Sequence, residues 1–143
     1  MTIEQLSVFV ENKQGKLVEA LETLAKAGID LRALSLADTA DFGILRIIVD
    51  KPAEALKALQ DMGYLVKSSE VIPVSVSDKP GGFAKVLRLL ADSGVGVEYT
   101  YAFVAHSHDS ANVILRAEDN NAAVKVLTAN GIPMLTFEDI NGI

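Results

Sequence analysis

The stretch from Leu6 to Gly28 can be laid over the stretch from Ile72 to Gly94 at a constant offset of 66 residues. Each copy holds an alternating apolar run, a Lys-x-Gly turn, an amphipathic stretch and a closing glycine. The first has Val8 and Val10, then Asn12-Lys13-Gln14-Gly15, then Leu17, Leu21 and Leu24, and ends at Gly28. The second has Val74 and Val76, then Asp78-Lys79-Pro80-Gly81, then Phe83, Leu87 and Leu90, and ends at Gly94. Self-similarity at so long a period means one supersecondary unit used twice, so any fold or site has to be read in pairs.

Within the first copy, Leu6, Val8 and Val10 predict a strand that breaks at the polar turn Glu11–Gly15. The leucine spacing that follows predicts a helix, with Gly28 placed to end it in a left-handed conformation. Ile29 to Leu36 reads as a second strand, Ala37–Asp41 as a hairpin turn, and Ile44–Val49, apolar on both faces, as a central third strand. Pro52 suits the first turn of a second helix, which has Ala55, Leu56, Leu59 and Met62 on its buried stripe and stops at Gly63. Tyr64–Val66 opens a fourth strand. The second copy repeats this order, with Val95–Val104 and Val113–Leu115 as strands and a helix running to Gly131. From Ala111 onward the offset is 68, so two residues have entered the hairpin around His106-Ser107-His108-Asp109, where length variation is expected.

The pattern predicts an α+β protein of two tandem ferredoxin-like βαββαβ units, 1–69 and 70–143, with antiparallel sheets and helices on one face. Units of this size bury only roughly 60% of their unfolded surface, so each is expected to lean on its sister and on a second chain. Lys67-Ser68-Ser69-Glu70 leaves no flexible linker, and the two are expected to behave as one body.

The net charge of −6 falls as −2 on residues 1–69 and −4 on residues 70–143, and neither half has a lysine or arginine cluster. Nucleic acid and anionic membranes are therefore not expected partners. The absence of cysteine removes thiolate nucleophiles, thiolate metal sites and disulfides. Met1-Thr2-Ile3-Glu4-Gln5 lacks the basic head and apolar run of a signal peptide, and no apolar run is long enough to span a bilayer, so a cytoplasmic location is expected.

The two glycine turns, Asn12-Lys13-Gln14-Gly15-Lys16-Leu17 and Asp78-Lys79-Pro80-Gly81-Gly82-Phe83, each followed by a leucine-rich helix and a glycine-led strand, resemble those of the ACT domain family of amino-acid-sensing regulatory modules. The likeness covers the whole chain as two units in tandem. The Asp-x-Pro-Gly form of the second copy is the commoner one, and the first departs from it with Asn12 and Gln14. The resemblance implies a site for a free amino acid where the glycine turn of one unit meets its neighbour, with Asp30 as a secondary candidate from the strand side. Sheet edges and faces left free by the two units are expected to pair in a homodimer, and a sensor without an output domain is expected to act through a regulated enzyme partner or a change in assembly.

Physical reasoning is compatible with that site. Gly15 and Gly81 let a ligand approach the main chain, and the N–H groups of the following helix start suit a carboxylate. Asp78 would accept a charge-assisted hydrogen bond from an ammonium, which Asn12 imitates only as a neutral acceptor, so the Asp78 turn is expected to bind more strongly. Plain architecture is the competing reading, because tight strand-to-helix turns favour the same residue types.

Three further features compete for attention. His106 and His108, with Asp109, have the spacing of a weak metal site, but lie in a loop where solvated polar residues are the simpler reading. Tyr99, Tyr101 and Phe103 alternate on the second strand of the second copy, continuing the face of Val95 and Val97; such a stripe lines a ligand pocket, a subunit interface or the core, with the core expected for Phe103 and interface burial for the two tyrosines. The acids Asp38, Asp41, Glu138 and Asp139 read as solubilising charge. No nucleophile elbow, phosphate loop or triad is present, so neither an enzyme nor a cofactor is expected. Two functions stay open: an amino-acid sensor acting on its assembly or a partner, and a dimerising accessory scaffold whose sites have decayed.

Overall fold

The structure is a computed structural model describing residues 1–38, 41–104 and 109–143. By contact the chain divides into two compact units, Glu4–Ser69 and Glu70–Ile143, with Met1–Ile3 grouped with the second rather than the first.

The first unit comprises β1 (Ile3–Glu11), α1 (Lys16–Lys26), β2 (Leu31–Asp38), β3 (Phe42–Val49), α2 (Pro52–Asp61) and the start of β4 (Leu65–Ser77). Its strands lie in the order β2-β3-β1-β4, with β1 and β2 antiparallel to β3. Leu6, Val8 and Val10 of β1 and Leu45, Ile47 and Val49 of β3 face Ala20 and Leu24 of α1 and Ala55 and Leu59 of α2 in one buried cluster. The period of two along the strands and of three to four along the helices puts both sets on one seam. At about 1.5–3 kcal/mol for each large apolar side chain, that seam dictates which face of the sheet the helices cover.

The second unit takes up the rest of β4 and continues with α3 (Gly82–Asp92), β5 (Val97–Ala102), β6 (Ser110–Ala117), α4 (Asn120–Ala129) and α5 (Phe137–Asn141). Its order is β4-β6-β5, again antiparallel, and its core repeats the first with Val74, Val76, Val86, Leu90, Leu115 and Leu127. The doubled α+β pattern read from the sequence is thus the observed fold. No helix among the described residues is long and apolar enough to cross a membrane.

The helix ends explain why several strands start later than the apolar runs suggest. After α1, the Ile29 N–H bonds the Leu24 carbonyl at 3.0 Å and the Gly28 N–H bonds that of Ala25 at 3.0 Å, a Schellman pair. The same pair recurs at Tyr64/Leu59, Val95/Leu90 and Ile132/Leu127. Ile29 and Val95 are thereby committed to helix ends, and the strands open at Leu31 and Val97 rather than at Ile29 and Val95.

Three other expectations are corrected. The predicted strand end at Val104 is too long: β5 stops at Ala102, and Phe103 adds one bridge, its N–H donating to the Asn112 carbonyl at 3.0 Å. The fourth strand of the second unit shrinks to a bridge between Val74 and Met134, flanked by Ser75 N–H to Pro133 carbonyl and Leu135 N–H to Pro73 carbonyl bonds of 2.9 Å. After it comes α5, which no apolar period announced. Asp139, read as solubilising charge, is half of its capping box: the Thr136 hydroxyl accepts from the Asp139 N–H and the Asp139 carboxylate from the Thr136 N–H.

Tyr99 and Tyr101 do not share the face of Val97. A β-bulge between Val97 and Tyr99 sets Val97 opposite Ala117 but Tyr99 opposite Arg116 and Tyr101 opposite Ile114. One extra residue turns every later side chain to the other side of the sheet, away from the helices. There the two rings stack with centroids 6.5 Å apart. His106 and His108 lie outside the described residues.

Candidate ligand site at the repeated glycine turn

Both turns have the backbone that their glycines predict. Gly15 stands at the N-cap of α1 with φ 86° and Gly81 at that of α3 with φ 83°, both left-handed. Neither helix start receives a side-chain cap, which is also true of α2, whereas α4 is capped by Asp119 and α5 by Thr136. The first N–H of each is taken inside the turn, Lys16 by the Lys13 carbonyl at 3.2 Å and Gly82 by the Lys79 carbonyl at 2.9 Å, so the partial positive charge that favours an anion is left to the N–H groups that follow, those of Leu17 and Phe83 first.

Beside the first turn lies a cavity of about 260 Å³. Asn12, Lys13 and Leu17 line it from the turn, Val10 from β1, and Leu36 and Asp38 from β2. The hairpin between β2 and β3 carries Asp38 to the turn, where its Oδ1 accepts from Asn12 Nδ2 at 3.2 Å. The Asn12 N–H also donates to the Asp41 carbonyl at 3.2 Å. Sequence reasoning left Asp38 as solubilising charge. The signal that would have found it was strand length, since β2 extends through Asp38 to the level of Asn12.

Charges at this turn are matched rather than massed. Lys13 Nζ lies 3.1 Å from Glu11 Oε2, and that contact, with the Lys13 charge, holds the Glu11 carboxyl below its ordinary range. Lys16 faces the other side of α1, 3.6 Å from Glu19 Oε2. Gln14 lies exposed. Asp30 is not brought to the turn of its own unit. It precedes β2, bonded to Arg32 at 2.8 Å and to Asp50 through its N–H at 2.8 Å, and the eight residues of β2 put about 26 Å between it and Asp38.

The second turn shares the glycine conformation but not the surroundings. Asp78, Lys79 and Pro80 are exposed, and the Asp78 N–H donates to the Asp109 carbonyl at 3.3 Å. Gly82 occupies the place of Lys16 because a Cβ there would lie 2.0 Å from the Ser77 carbonyl oxygen. Phe83 packs on the core where the first copy has Leu17.

A second, larger cavity of about 550 Å³ adjoins α1 on the side of β4. Phe9, Phe42, Met62, Tyr64 and Leu65 form its apolar walls. Glu11, Lys16 and Glu19 bring charge to it. The Tyr64 hydroxyl donates to Glu19 Oε1 at 3.0 Å; partial burial, then this bond and the Glu19 charge, push the phenol up to about 12. Sequence analysis missed this site, whose walls come from three separated stretches of chain.

A family model for an ACT domain pair matches residues 1–142. The chain belongs to the ACT domain pair family. Among solved structures, protein BT0572 from Bacteroides thetaiotaomicron is 40% identical with a TM-score of 0.92, over 100% of this chain and 98% of that one. The regulatory subunit of aspartate kinase from Thermus thermophilus shares the fold at 22% identity and a TM-score of 0.62, over 88% of this ACT pair and 91% of its own chain. Aspartokinase alpha and beta subunits share it at 17% identity and a TM-score of 0.56, over 90% and 95%. No curated protein matches this chain.

Proposed function

We propose that this ACT pair is a regulatory protein that binds a free amino acid at its glycine turns and passes the binding on through a separate enzyme or its own assembly. The observation that carries the reading is the first turn itself: Asn12 and Lys13 before the left-handed Gly15, and Leu17 in the uncapped first turn of α1 after it, line a cavity of about 260 Å³ together with Asp38. The α-carboxylate takes the N–H groups of α1 and the Lys13 ammonium. The α-ammonium takes Asp38 and the Asn12 carbonyl oxygen, and Val10, Leu17 and Leu36 surround a small side chain. At the second turn Asp78 supplies the carboxylate that Asp38 supplies at the first, so the charge difference behind the expectation of tighter binding at Asp78 disappears.

The family description and the regulatory role named for the aspartate kinase subunits support a sensor with its output on another chain. Ligand acts by differential affinity: whichever arrangement it prefers gains population. A thermal-shift screen of the common amino acids tests this. A specific rise in melting temperature that is reduced in Asp38→Asn or Asp78→Ala is the expected result; no rise for any amino acid at about 10 mM leaves the accessory scaffold as the better account.

A further inference from the structure

We propose that the 550 Å³ cavity between α1 and β4 is a second, separate small-molecule site, built for a zwitterion that carries a large apolar group. Its volume is about twice that of the turn cavity and within the range of roughly 300–1,000 Å³ typical of ligand pockets. Phe42, Met62 and Leu65 around it are 50%, 56% and 60% exposed, a grouping of large apolar side chains that marks a contact surface.

The polar side of the cavity selects the ligand's charge. Glu19 uses Oε1 for the Tyr64 hydroxyl, which fixes the carboxylate in place. Its Oε2 meets Lys16 at only 3.6 Å, well beyond the roughly 2.7–2.9 Å of a good charged hydrogen bond. A zwitterion improves on that loose pair by exchanging partners: its ammonium takes Glu19 Oε2 and its carboxylate takes Lys16. A lone anion would face Glu11 and Glu19, and a lone cation would meet carboxylates already matched by Lys13 and Lys16.

The repeat shows that this chemistry is not a by-product of the fold. At the offsets of 66 and 68, Phe9 corresponds to Ser75, Phe42 to Ser110 and Met62 to Asn130, while Lys16 becomes Gly82 and Glu19 becomes Lys85. The second unit builds the same elements with none of these walls or charges, so the first unit carries them for another reason.

Calorimetry on the full chain tests the proposal, with L-phenylalanine and L-methionine as probes and 2-phenylethylamine and 3-phenylpropanoate as single-charge controls. Because the second copy already folds with the replacements, Glu19→Lys and Met62→Asn serve as variants. Expected are saturable binding of at least one zwitterion, binding at least about tenfold weaker for its single-charge relatives, and a loss of about tenfold or more in each variant. If neither zwitterion binds at about 10 mM, or if both variants bind as before, the proposal fails. Binding abolished by Asp38→Asn but not by Glu19→Lys would sink it while leaving the glycine-turn reading intact.

Discussion

The two glycine turns have nearly the same backbone, yet only one position in them is glycine for the same reason in both copies. Gly15 and Gly81 each adopt a left-handed φ that an L side chain resists. One residue later the reasons part. Gly82 is held by the Ser77 carbonyl, which leaves no room for a Cβ, whereas Lys16 has space for a long side chain that reaches Glu19. The difference teaches that a repeated turn preserves the conformation required to start a helix, while the neighbours of that turn decide what else it can hold. The first copy gained two cavities with matched charges; the second packed its turn against its own strand and put Asp78 where the first has Asn12.

The comparison breaks most easily at the second position. Gly82→Ala drives a Cβ onto main chain, and we expect a loss of about 3 kcal/mol or more in denaturant unfolding, while Lys16→Ala stays within about 0.5 kcal/mol. Equal losses would mean that the two positions are under the same constraint. At the first position the copies should agree: Gly15→Ala and Gly81→Ala each cost about 1–2 kcal/mol, from the left-handed backbone alone, since a Cβ at either meets nothing within 4 Å. A large gap between these two would show that the turns differ in more than their neighbours.

The smallest effect belongs to the larger cavity. Ultraviolet titration should find the Tyr64 phenol ionising near 12, and Glu19→Gln should lower it only part of the way, because burial, the larger cause, remains. The sign follows from linkage. A phenol whose folded pKa lies above its unfolded one contributes stability that is full below about pH 10 and disappears as pH rises towards 12. A titration near 10 in the unaltered protein would show that Tyr64 is neither partly buried nor bonded to Glu19.

Much of this was legible in the sequence because it rests on local rules. The 66-residue offset, the helical leucines and the glycines after α1 to α4 locate the elements, since apolar period and left-handed helix ends are properties of short segments. Features that depend on pairing were not legible. The bulge that turns Tyr99 and Tyr101 away from the helices is a matter of hydrogen-bond register between β5 and β6. Asp38 joins Asn12 only because β2 runs to its last residue against β3. The larger cavity draws Phe9, Phe42 and Met62–Leu65 from three stretches, although one signal was on the page: apolar residues at positions where the second copy has Ser75, Ser110 and Asn130. The short helix α5 escaped because five residues are too few to show a period, and its Thr136-x-x-Asp139 box was read only as charge.

The central claim is that a glycine turn of this ACT pair holds a free amino acid, and titration calorimetry of the full chain against the amino acid giving the largest thermal shift tests it most directly. The account predicts saturable binding that weakens about tenfold or more when Asp38→Asn or Asp78→Ala removes the carboxylate facing the ligand's ammonium. Binding untouched by both substitutions, or no heat for any amino acid, would contradict it.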